Sequence, residues 1–446
     1  MQDESGAAGA ATMKALRRRR GRSLAGAARA LAALADDLRL PALPAVASVQ
    51  RSVARWESVR PPRPDDRYQL LLAHLYARTP TGGIAVGPGS DFEEYLTALQ
   101  LLGESEHRTA ELRTVVLRTA TDHGGGMLAL LAPGLQVGLA AALADPARTT
   151  DETVAGLAAT VADVNRQISS LPMARLQLLL APAVDAVRQL LNGRVPEPLQ
   201  EPLRIAAVSA YTLAGRLAFE TRDDTASGNL YVAATREARR LSTPWRQAGV
   251  HMSHALTTMY ATQDLDSARA LADSAVEAAH RGESVLVRSR AMALRAEMSA
   301  RAGQPRQVDT ALRLAWYDMD ADHTGDPAST SFSRAHLRGF EGVCELYAGD
   351  PASAHAQFER AADALTAPRD QVQRAIVSTD QALARIRMGA PQDASELLHD
   401  SVSAVANTGG RVPAIRIREA RRALRRWRRE DWVSDLDDHL LDVLGA

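Results

Sequence analysis

The densest grouping of side chains able to recognise a ligand is SVQRSVARWES, residues 48–58, which combines a glutamine, two arginines, serines and a tryptophan. On a helix advancing about 100° per residue, Val49, Val53 and Trp56 share one narrow arc, so they face a core. Arg51, Ala54, Arg55 and Ser58 occupy the opposite side, with Gln50 at its edge. Arginine offers a two-pronged donor to guanine and glutamine pairs with adenine, while the alanine keeps that face low, so the pattern suits a helix entering a DNA major groove. A serine at the helix start is expected to cap it and to leave backbone N–H groups near a phosphate. The competing reading is a solvated amphipathic helix. Such a helix commonly mixes acids with bases, yet Glu57 is the only acid here and lies off the outer face.

Other constellations carry less. His251 and His254 are three residues apart and could share a helix face, but no HExxH motif or nearby cysteine joins them. They are candidates for lining a ligand groove, together with Tyr211 and Trp245, although aromatics at helical spacing more commonly fill a core. HGGG, residues 123–126, resembles an oxyanion-hole motif but lacks the Gly-x-Ser-x-Gly elbow that would accompany it. The chain has one lysine, Lys14, so no phosphate loop ending in Gly-Lys-Ser/Thr exists. Its one cysteine, Cys344, excludes an intramolecular disulfide and a cysteine-based zinc cluster. No cofactor, no metal and no catalytic site are expected, and the chain reads as a binding protein and not an enzyme.

The elements that must position these residues are helices. Alanine, leucine and arginine dominate, aromatics make up 4% of the chain, and β-branched clusters are rare, which predicts an all-α fold. At 446 residues more than one domain is expected. Residues 1–12 read as a disordered N-terminus and 13–78 as a small basic domain. A Gly/Pro-rich stretch at 79–91 reads as a linker and the clearest boundary. Residues 92–200 read as a helical region without a legible repeat. Charge is uneven: 13–78 carries 14 Lys+Arg against 5 Asp+Glu, and the remainder 39 against 48. A basic front end on a neutral chain points to a polyanionic partner. No apolar run is long and uninterrupted enough for a membrane span, the start lacks the features of a signal peptide, and a cytoplasmic protein is expected.

From 201 to 410 a repeat emerges at a spacing of roughly 40 residues. Polar turns recur at 221–227, 262–268, 301–308, 347–354 and 387–394, each ending on a small residue or valine: Ser227, Ala268, Val308, Ala354 and Ala394. The clearest copy is GVCELYAGDPASAHAQFERAADAL, with Gly342, Ala354, Phe358 and Ala361. A second has Tyr211, Gly215, Tyr231 and Ala234. These copies resemble the tetratricopeptide repeat, whose close helix packing needs small residues at those positions. Such arrays curve and bind partners in their concave groove. Residues 411–446 read as two capping helices, an arginine-rich one against an acidic one, with a second nucleic-acid contact as the alternative.

QRSVARWES, preceded by LRRRRGRSLAGAARAL and followed by RPPRPDDRYQLLLAHLY, resembles the helix-turn-helix of the Xre/phage-repressor class. The resemblance implies that Gln50, Arg51, Ser52 and Arg55 contact bases and phosphates, and that Arg60 and Arg63 contact the DNA backbone. It further implies that Arg17 pairs with Glu57, and that Val53 and Trp56 belong to the core. Two departures stand out. AALADDLRLPALPAVA intervenes between the second and third helices, where the class has a short turn, and Leu24 replaces a common phosphate-binding glutamine. With the repeats behind it, the chain resembles repressor-type regulators joined to tetratricopeptide arrays. That likeness implies transcription control through double-stranded DNA, a homodimer, and an array sensing a small-molecule, peptide or protein effector. The alternative is a helical-repeat interaction scaffold whose basic domain makes only non-specific contact with DNA.

Overall fold

The computed structural model describes residues 2–38, 43–79, 83–122, 127–329, 332–367, 370–406 and 410–444. The described residues form twenty-one α-helices and no strand, as the composition predicts. No helix among them is long and apolar enough to cross a membrane. The chain divides into two compact units, Met1–Gly156 and Leu157–Ala446.

The first unit contains α1 (Gln2–Arg19), α2 (Leu24–Asp37), α3 (Val46–Trp56), α4 (Asp66–Ala77), α5 (Asp91–Leu101), α6 (Glu106–Asp122) and α7 (Pro133–Ala144). The next helix, α8 (Asp151–Arg166), spans the division between the units. Three of these helices start where the sequence places a capping side chain. Ser23 accepts from Gly26 N–H, Asp65 from Tyr68 N–H and Ser90 from Glu93 N–H. Their core gathers Leu16, Leu31, Val49, Val53, Trp56, Leu71, Phe92, Tyr95 and Leu99.

Two expectations fail here. The stretch expected to be disordered, residues 1–12, belongs to α1 from Gln2 onward, with Ala10 buried. Its small residues, which read as structureless because they lack an apolar stripe, let α1 lie close against α5. A Cβ on Gly9 would come within 2.8 Å of the Ala98 carbonyl oxygen. The described part of the expected linker, Thr79 and residues 83–91, packs into the first unit and is not a boundary. Ala85 N–H donates to Ala77 O, Ala85 and Val86 are buried, and Gly87 meets the Leu130 backbone so closely that a Cβ would sit 2.2 Å from its oxygen. The glycine there permits close backbone approach; it does not mark a hinge. The HGGG motif lies outside the described residues, as do four of those joining α2 to α3. Helix α2 itself runs through Asp37, absorbing the start of the sequence that intervenes before α3.

The second unit continues with α9 (Met173–Leu191), α10 (Glu197–Glu220), α11 (Asp224–Ala238), α12 (Pro244–Thr262), α13 (Leu265–His280), α14 (Val285–Arg301), α15 (Pro305–Met319), α16 (Arg334–Ala348), α17 (Pro351–Ala364), α18 (Gln371–Arg387), α19 (Pro391–Val405), α20 (Arg411–Ala423) and α21 (Asp431–Leu444). Neighbours pack in pairs: α10 with α11, α12 with α13, α14 with α15, α16 with α17 and α18 with α19. The small residues explain how closely. A Cβ on Gly342 would come within 2.7 Å of the Phe358 ring, and one on Gly215 within 3.0 Å of Tyr231. Ser227, Ala268, Val308, Ala354 and Ala394 are all buried in these pairings. Each even-numbered helix from α10 to α18 also packs on the next even-numbered one, whereas α11, α13, α15, α17 and α19 make little contact with each other. The even-numbered helices therefore form the inner side of the array.

Candidate nucleic-acid interface

Helix α3 has the divided surface that its spacing predicts. Val49, Val53 and Trp56 are buried, and the Trp56 ring packs 5.0 Å from that of Tyr68 on α4. Arg51, Ala54 and Arg55 are exposed on the outer side, with Gln50 and Ser52 half-buried at its margins. The helix begins earlier than the sequence suggests, at Val46, and ends before Ser58. Its cap is Ala45, which offers no side-chain acceptor, so the expected serine cap is absent. Ser48 instead lies within the first turn and accepts from Arg51 Nη2 at 3.0 Å, while Ser52 accepts from Arg55 Nη2 at 3.3 Å. Both arginines are thereby steadied on their own helix by weak, exposed contacts.

The orientation of α3 is fixed from α1. Arg17 donates from Nε and Nη2 to the two carboxylate oxygens of Glu57, each at 2.7 Å, and from Nη1 to Arg22 O at 2.7 Å. Glu57 is the C-cap residue of α3, so the pair ties the helix end to the end of α1. Both side chains are largely buried, at 9% and 6% exposure. The Glu57 hydrogen bond raises the Arg17 pKa further above its ordinary value despite burial, so the guanidinium stays charged.

Tertiary packing sorts the arginines of the basic segment into two groups. Arg19 bonds Asp91 and Glu94, and Arg78 bonds Asp37. Arg20 bonds Asp91 and also donates to the Leu75, Tyr76 and Arg78 carbonyls at 2.7, 2.8 and 2.6 Å, satisfying the C-terminal end of α4. The run RRRR is thus largely a structural device, a role invisible in the sequence because its acids lie 40 to 75 positions away. Arg63 is committed as well, at 3.3 Å from both Glu104 and Gly103 O, which competes with the backbone-contacting role implied for it. Among the described residues Arg51, Arg55 and Arg60 have no carboxylate partner, and all three are exposed. Counted over residues 1–156, Lys+Arg number 18 and Asp+Glu 17, so the basic front end belongs to a unit that is nearly neutral.

The four residues singled out for a ligand groove lie on α10 and α12, and each has packing partners. Tyr211 is buried in α10. Trp245 starts α12, donates from Nε1 to Glu283 at 2.9 Å and carries the Arg246 guanidinium over its ring at 4.3 Å. His251 is buried beside Gln247, and His254 stacks on Tyr231 with ring centroids 4.6 Å apart. Burial lowers both histidine pKa values, which favours neutral imidazoles. No protein-family model matches this chain, and neither the curated proteins nor the solved structures contain a match to it.

Proposed function

We propose that this protein is a sequence-specific regulator of transcription that reads double-stranded DNA through the outer face of α3. The observation that carries this reading is the sorting of arginines. Arg17, Arg19, Arg20, Arg63 and Arg78 are tied to acids, whereas Arg51 and Arg55 are exposed on the face of α3 opposite the buried Val49, Val53 and Trp56 and Arg60 is exposed in the loop that follows; Lys14, Arg18 and Arg29 add exposed charge on α1 and α2. At 11 residues α3 is about 16 Å long, enough to cross a major groove about 12 Å wide. Gln50, Arg51, Ser52 and Arg55 then face base edges and phosphates, with Arg60 on the backbone. The paired helices of the second unit act as a tetratricopeptide-like array that senses an effector, and a homodimer places two copies of α3 on paired half-sites.

The near-neutral first unit favours specific over purely electrostatic binding, since non-specific affinity follows the number of phosphates neutralised. The test is binding of the full chain to its own promoter duplex and to a scrambled duplex over a range of salt. The regulator reading requires preference by a factor of about a thousand or more. Equal binding to both duplexes would leave only the scaffold reading.

A further inference from the structure

The inner side of the helical array is not open along its length. Helix α20 reaches from the last pair back to the first. At its start, the backbone N–H groups of Arg411 and Val412 both donate to Glu220 of α10, at 2.5 and 3.2 Å. The Arg411 guanidinium donates to both oxygens of Asp224 at 2.5 and 3.2 Å and to Phe219 O at 3.3 Å, and lies 4.6 Å from the Phe219 ring. Gly410 supplies no cap of its own, so a carboxylate 191 positions earlier caps this helix. Five residues on, Arg416 donates to Asp380 of α18 at 2.7 Å, lies 3.6 Å from Glu297 of α14 and sits over the Tyr260 ring of α12 at 5.5 Å. Apart from Asp224, which opens α11, these partners come from even-numbered helices, the inner side of the array.

We propose that Glu220, Asp224, Asp380 and Glu297 form a two-station receptor for an arginine-bearing helical peptide, and that the chain fills this receptor with its own α20 as a built-in competitor. The first station takes a helix N-terminus and its leading arginine; the second takes an arginine five positions later. Two features make the occupant displaceable. Arg416 is buried with its Nε–H lacking any acceptor, an uncompensated desolvation cost that a better-fitting ligand relieves. In addition, Glu297 is already served by Arg301 at 2.8 and 3.0 Å, which leaves Asp380 as the acid that chiefly needs the incoming cation. This inference deepens the sensing role proposed above by naming the effector class, an arginine-bearing peptide, and its assay contains no DNA, so it fails independently of the regulator reading.

A tethered competitor lowers the apparent affinity of an external peptide in proportion to the fraction of time the receptor is vacant. The probe is a labelled synthetic peptide of residues 410–423, titrated into the full chain and read by fluorescence anisotropy. A control peptide has the same composition with its arginines relocated. Weakening the latch with Arg411→Ala plus Arg416→Met is expected to tighten peptide binding at least tenfold over the unsubstituted chain. Adding Glu220→Gln and Asp380→Asn is expected to abolish that gain. Circular dichroism and cooperative melting establish that each variant is folded. If Arg416→Met unfolds the array, Arg411→Ala alone serves, because its contacts lie at the half-exposed end of α20. A folded latch-weakened variant that binds no more tightly than the unsubstituted chain overturns the proposal. So does a gain that survives removal of the acids, or equal binding of the relocated-arginine peptide.

Discussion

Replacing Arg17 by alanine should loosen α3 more than any substitution on its outer face. The side chain makes two 2.7 Å bonds to Glu57 and one to Arg22 O, with both members of the ion pair more than nine-tenths buried. Removing one member of a buried pair strands the other charge, which costs about 3–5 kcal/mol. The lost carbonyl bond adds about 1 kcal/mol. Because water reaches Glu57 once Arg17 is gone and screens the stranded charge, the expected total loss falls below that sum, at ~3 kcal/mol. The assay is urea unfolding of the full chain with hydrogen exchange followed at the α3 amides. Those amides should lose protection by roughly a hundredfold, since each 1.4 kcal/mol is about a factor of ten. Glu57→Ala should cost a similar amount and the double variant little more than either alone, giving a coupling of about 2–4 kcal/mol. Additive single effects, or an Arg17→Ala variant within ~1 kcal/mol of the parent, would refute the claim that this pair sets the pose of α3.

Arg55→Ala should lower discrimination at one base pair by about 1–3 kcal/mol in a selected-site assay, whereas a uniform loss on every duplex would reassign Arg55 to a phosphate. Gly342→Ala should destabilise the second unit by about 1–3 kcal/mol, because the new Cβ lies 2.7 Å from the Phe358 ring; an unchanged melting temperature would show that the ring can yield. The Asp380 carboxyl supplies a pH test. Burial pushes it up to about 6 from an ordinary 3.8, against the pull of Arg416 and Arg301, with Glu297 and Glu419 adding to the rise. Between those values the folded chain holds a proton that the unfolded chain lacks. This group's contribution to stability therefore grows as pH falls through that window, by up to ~3 kcal/mol. Relative to the Asp380→Asn chain, the parent's melting temperature should rise as pH falls from 6 to 4, and parallel curves would remove Asp380 from the titration.

The all-α class, the divided surface of α3 and the small residues of the helix pairs were legible in the sequence. Each rests on local periodicity: Val49, Val53 and Trp56 recur on a helical arc, and Gly342 with Ala354, Phe358 and Ala361 recurs with the turn between them. Charge was legible only as a total. A count over 13–78 made that segment look like one basic surface, but whether an arginine meets water or a carboxylate depends on what packs beside it. Arg17 reaches Glu57, Arg20 reaches Asp91 and the end of α4, and Arg63 reaches Glu104, so the free charge contracts to Arg51, Arg55, Arg60 and a few others. Boundaries failed for a related reason. Glycine reads as a breaker in a sequence, while in the fold Gly9 and Gly87 let backbones approach closely, and only the neighbouring helix or loop distinguishes the two uses. The closure by α20 lay furthest from view, because Arg411 and Glu220 are 191 positions apart and no periodicity links them. Sequence determined which faces are apolar; tertiary structure decided which charges remain free to bind, because charge pairing is set by distance in space and not along the chain.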